Sequence, residues 1–91
     1  MENISSKLID AQDMRINNPD TFGAPNKEEL DDLAPGAIVK ICNNVERFWV
    51  IVSKVENNTI SGTVDNMLVG DYGYNCGDDI EFEKCHIYAI T

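Results

Sequence analysis

Positive charge is scarce in this chain. Seven Lys and Arg face sixteen Asp and Glu over 91 residues, a formal charge of −9. The shortage is even: residues 1–35 carry eight acids against three bases, and residues 36–91 carry eight against four. Affinity for nucleic acid comes mainly from Lys and Arg displacing counterions from phosphates, so direct nucleic-acid binding is not expected. Long apolar runs are missing too. None approaches the roughly 18 residues of a membrane-spanning helix, and no membrane association is expected. The opening Met1-Glu2-Asn3-Ile4-Ser5-Ser6-Lys7 lacks the basic-then-apolar order of a secretory signal. A single small domain in the cytoplasm is the expectation, with length enough for one modest core.

Catalytic and metal-binding residue types are equally sparse. The three cysteines, Cys42, Cys76 and Cys85, are odd in number and lack the close paired spacing of zinc sites. Reduced thiols are expected, with no disulfide, metal or cofactor. His86 is the only histidine. Beside Cys85 on a strand it would point to the opposite face, which makes a poor nucleophile–base pair. Asp79, Glu81 and Glu83 would share the solvated face of one strand, a pattern of edge protection. Gly70-Asp71-Tyr72-Gly73 has no following Lys-Ser or Lys-Thr, so it is no phosphate loop. No catalytic residue stands out, and no enzyme is expected.

What is present divides near residue 35. Residues 1–35 read as an N-terminal arm with short helical turns. Ile4, Leu8, Ile9 and Ala11 suggest a helix starting after Ser5 or Ser6. Asn17-Asn18-Pro19-Asp20 and Gly23-Ala24-Pro25-Asn26 are turn signals. Asn26 then caps an acidic helical turn over residues 27–33, with Leu30 and Leu33 on one face. Such an arm either lies over the second half or forms a loose tail.

Residues 36–91 carry five β-type segments: 37–42, 46–55, 59–65, 79–83 and 86–90. Alternation and β-branched residues predict a mainly β fold, a five-stranded bent antiparallel sheet or SH3-like barrel. Val39, Ile41, Val50, Val52, Ile60, Val64, Ile80 and Phe82 form the expected core. Gly62 interrupts the third strand, as at a kink or a close backbone approach. Trp49 is out of phase with Phe48, Val50 and Val52. It either packs under the arm or another part of the chain, or joins a binding surface with Tyr72 and Tyr74.

The order Pro35-Gly36, Val39-Lys40, Glu46-Arg47-Phe48-Trp49, Gly62-Thr63-Val64-Asp65-Asn66 and Gly77-Asp78-Asp79-Ile80 resembles the YegJ-like family, small proteins of a domain of unknown function. The resemblance covers residues 34–90 and implies a small β-barrel without known catalytic activity. Where that family places a proline after the asparagine, Met67 stands here.

These readings leave two functions. One is a protein-interaction module working through the 67–77 loop, with Trp49, Met67, Tyr72 and Tyr74 touching a protein partner. The alternative is an acidic inhibitor, a nucleic-acid-mimic decoy blocking a basic site on a partner. Tyr72 and Tyr74 either serve that surface or cover the barrel's open end.

Overall fold

The computed structural model describes residues 2–18, 20 and 23–91. Its elements are β1 (Glu2–Asn3), α1 (Ala11–Asn17), α2 (Lys27–Asp31), β2 (Ile38–Cys42), β3 (Arg47–Glu56), β4 (Thr59–Val64), β5 (Asp79–Glu83) and β6 (Ala89–Ile90). Two 3-10 turns, Ser5–Lys7 and Lys84–His86, complete it. Five strands form an antiparallel sheet in the order β5-β4-β3-β2-β6, and β1 adds in parallel to the outer edge of β5. The fold is mainly β, as the alternation predicts.

The sheet does not close into a barrel. Its edge strands β1 and β6 have two residues each, and among the described residues they do not pair with one another. Side chains from outside the sheet fill the space that closure would have occupied. Alternate residues of the long strands (Val39, Ile41, Phe48, Val50, Val52, Ile60, Val64, Ile80 and Phe82) turn to one face and are fully buried. Ile4, Leu30, Leu33, Leu68, Tyr74 and Ile87 cover that face. The expected core is thus present, and it recruits the arm. Residues 1–35 share one core with 36–91, so the change in composition near residue 35 marks no gap in packing.

The arm differs in detail from its prediction. Ser5–Lys7 makes only a 3-10 turn, and the α-helix starts later, where the Asp10 side chain accepts from the Asp13 amide. A carboxylate one turn downstream displaced the serines as N-cap. Asn26 does cap α2, in a capping box with Glu29. Of the first turn signal, Pro19 lies outside the described residues.

Two backbone features shape the sheet. Gly62 pairs with Val52 and Ile80. A Cβ there would come within 2.5 Å of Val50 Cγ1 and 2.6 Å of the Ile51 carbonyl oxygen. The glycine therefore marks a close approach. Just past it the β3–β4 register shifts between Val52 and Lys54, and the Ser53 hydroxyl donates to the Ser61 carbonyl at 3.1 Å. The fifth predicted strand is shortened. Residues 84–86 coil into a 3-10 turn, anchored where the Lys84 amide donates to the Asn58 carbonyl at 3.0 Å. Cys85 and His86 therefore sit on a turn, not on opposite faces of a strand.

Candidate functional site

The β2–β3 turn and the long 65–78 connection meet at one end of the sheet. Asn43 organises the turn. Its side-chain oxygen accepts from the Val45 and Glu46 amides, and its amide group donates to the Tyr74 hydroxyl at 3.2 Å. Asn44 takes the left-handed backbone, which asparagine tolerates. Two residues on, Glu46 reaches across to the connection. Its carboxylate accepts from the Val69 and Gly70 amides, both at 3.0 Å to Oε1, and from the Tyr72 hydroxyl at 2.6 Å. These donors hold the carboxyl below its ordinary pKa, the Tyr72 hydroxyl foremost, then the Gly70 amide; burial pulls the other way, and the Val69 amide adds the least. The same bond pushes the Tyr72 phenol up.

Further contacts fix the rest of the connection. Asn75 accepts from the Leu68 and Cys76 amides, and Asp78 accepts from the Asn75 amide. Leu68 and Tyr74 turn into the core. A loop this thoroughly hydrogen-bonded presents its outward side chains in a set arrangement. Among those outward side chains are three large apolar ones: Met67 is 79% exposed, Val69 96% and Val45, on the adjoining turn, 76%, beside the exposed Asp65 and Asp71.

The four residues expected to touch a partner are distributed differently from the expectation. Met67 is on the surface. Tyr74 is buried, 5% exposed, its ring 5.8 Å from that of Phe48. It is part of the core, the covering role rather than the surface one of its two expected places. Tyr72 packs between Tyr74 and the Glu46 carboxylate, ring centroids 5.8 Å apart. Together the two tyrosines close the core at this end. Trp49 projects to the other face of the sheet, away from the tyrosines and from the arm. There Lys40, its register partner on β2, sets its ammonium 5.0 Å from the indole ring, and Lys40 and Arg47 both lie over Tyr88. Of the expected coverings for Trp49, the arm or another part of the chain, it is the second that is present: Lys40 of β2 lies over the ring.

Val45 and Val69 are not singled out by the sequence. The available signal was an aliphatic residue inside a turn or glycine-rich loop, where no strand alternation accounts for it. Elsewhere, Cys42 and Cys85 are partly buried and Cys76 is exposed, all as free thiols. Burial pushes the Cys85 thiol up to about 11, well away from a reactive thiolate. Among the described residues, no three His, Cys, Asp or Glu side chains gather as a metal cluster. No helix among them is long and apolar enough to cross a membrane. Comparison with protein-family models, with curated proteins and with solved structures gave no match.

Proposed function

We propose that this protein is a non-enzymatic interaction module that recognises another protein through Val45, Met67 and Val69. One observation carries the reading. Three of the five large apolar side chains exposed among the described residues collect at one end of the sheet. The Glu46 carboxylate holds the two segments that bear them together. Exposed aliphatics on a rigid frame lose little entropy on binding and gain from desolvation. Tyr72 and Tyr74 support this surface from beneath, and Met67 is its one residue shared with the sequence expectation.

Membership of the YegJ-like family belongs to the same proposal. It rests on the Glu46-to-Trp49 and Gly62-to-Asn66 spacings. In support, the two motifs touch: the Asn66 side chain accepts from the Trp49 amide, and the Asp65 amide donates to the Trp49 carbonyl.

The test is a paired one. Partners cross-linked to the parent protein in its host are compared with those retained by Met67→Ser/Val69→Ser. A specific partner should be lost from the variant, with affinity down about tenfold or more, the scale of losing two interface anchors. The melting temperature should stay put, since neither side chain is in the core. Retention of every partner by the variant overturns the reading. If that retained binding also falls steeply with added salt, the acidic decoy takes its place.

A further inference from the structure

A groove of about 470 Å³ lies at the other end of the molecule, between α1, α2, the β3–β4 turn and the Lys84–His86 turn. Arg15, Lys27 and Lys84 all line it, one from each of three separate elements. They are three of the seven bases in the chain, and the only carboxylate facing them in the lining is Asp31. Four bases are left against fifteen acids over the remainder of the sequence. In a protein of this charge, that convergence is the reverse of the general surface.

The structure itself makes little use of these charges. Lys84 is paired only loosely with Asp31, at 3.8 Å, although its side chain is just 15% exposed. Among the described residues, Arg15 and Lys27 make no ion pair. The walls, by contrast, are well tied. The Gln12 side chain of α1 donates to the Pro25 carbonyl ahead of α2 at 2.7 Å. The Lys84 amide donates to Asn58 in the β3–β4 turn, and the Asn26 capping box fixes α2. Cations that the fold leaves largely unused, carried on walls tied to one another, suit a ligand site.

We propose that this groove binds a small phosphorylated molecule, its phosphate held by Arg15, Lys27 and Lys84 and its body resting on Leu30 and the Asn57–Asn58 turn. A phosphate dianion matches several cations converging from different directions, and guanidinium binds it through paired N–H groups. The volume falls within the range of small-molecule pockets. The amides of Asn57 and Asn58 offer donors and acceptors for hydroxyl groups on the body, and Leu30 offers an apolar wall. Size is selected by the surroundings. Glu28 and Asp32 on and beside α2 keep the neighbouring surface negative, so a long polyanion is repelled where a compact anion fits inside. Asp31 opposes the ligand by holding Lys84, which ties its removal to tighter binding. The inference does not depend on the protein-binding end.

The test is a backbone-amide NMR titration of the full chain with inorganic phosphate and then ribose 5-phosphate, sodium chloride keeping ionic strength constant. Saturable shifts are expected at Gln12, Arg15, Asn57, Asn58, Lys84 and Cys85, with the sugar phosphate binding at least tenfold more tightly than phosphate. Arg15→Gln and Lys27→Gln, both on the surface of their helices, should each weaken binding about tenfold with the rest of the spectrum unchanged. Asp31→Asn should tighten it severalfold. Shifts that never saturate, equal affinity for the two probes, or variants that bind as the parent does would each overturn the proposal.

Discussion

The Tyr72 hydroxyl donates to Glu46 Oε1 at 2.6 Å, and the same oxygen takes the Gly70 amide at 3.0 Å. One carboxylate thus serves as the common acceptor for a loop more than twenty residues away in sequence. A phenol and two amides converging on a single anion leave the loop no competing arrangement of equal quality, because each donor would otherwise turn back to water.

The loop should therefore loosen in acid. The Glu46 carboxyl is held below its ordinary value by the Tyr72 hydroxyl first and the Gly70 and Val69 amides after it. Its stabilisation is complete above the ordinary carboxylate range and is lost as pH falls through the lowered value. Amide hydrogen exchange at Val69 and Gly70, corrected for intrinsic rates, should accelerate severalfold across that window. In Glu46→Gln it should be fast and flat with pH. An acid response of the same size in the variant would assign it to another group.

Phe82→Ala should cost about 3–5 kcal/mol, a large part of the stability of a domain this size. Phe82 is fully buried and sits opposite Ile60 across β4 and β5. Urea denaturation followed by Trp49 fluorescence measures the loss. A shift below about 1 kcal/mol would mean the cavity collapses freely, contrary to close packing on both sides.

Gly62→Ala should destabilise by about 1–3 kcal/mol despite adding only one methyl group. The added Cβ meets the Ile51 carbonyl as well as a Val50 methyl, and the backbone atom cannot rotate aside. Thermal unfolding gives the sign directly. Ser61→Ala, one residue away, should cost less, because the Ser61 contact in the bulge is made by its carbonyl.

His86 should titrate below the ordinary histidine range. Burial lowers its pKa, outweighing the opposite pull of Asp10 and Glu83. Its Nδ1 accepts from the Glu83 amide at 3.2 Å, a bond that only the neutral ring can make. Stability from this ring is present above the unfolded value and is lost as pH falls through the lowered folded value. NMR titration of the ring protons measures it. A midpoint at or above the unperturbed value of about 6.5 would refute the assignment.

Five strands and eight core positions were legible because period-two alternation is local, and each strand carries its own pattern. Asn26 was legible for the same reason, with its reciprocal partner Glu29 three residues on. Tyr74 was not. A tyrosine among glycines reads as exposed, and what buries it, Phe48 and the Asn43 amide, comes from a hairpin about thirty residues earlier. The role of Glu46 was hidden likewise, visible only as a spacing to Trp49. The choice between bent sheet and barrel was not legible: alternation reports that one face is buried, and says nothing of whether strands or an arm bury it. The basic groove joins Arg15, Lys27 and Lys84, which are single charges in three different contexts along the chain.

The pairing of β1 with β5 also bears on the order of folding events. Glu2 registers with Ile80, and the Ile4 amide donates to the Glu81 carbonyl at 2.9 Å, while the Ile9 amide donates to Cys42 at 2.9 Å. Ile4 reaches its buried place by pairing with β5, so this contact is expected to settle only after β5 has docked on β4. Contacts closing so large a loop are costly in entropy before they are rewarded, which slows the final step relative to the local hairpins. Until it occurs, the outer edge of β5 stands open as a template for another strand. The interval between hairpin formation and the arrival of Ile4 is the period in which this chain is most exposed to pairing with a neighbour.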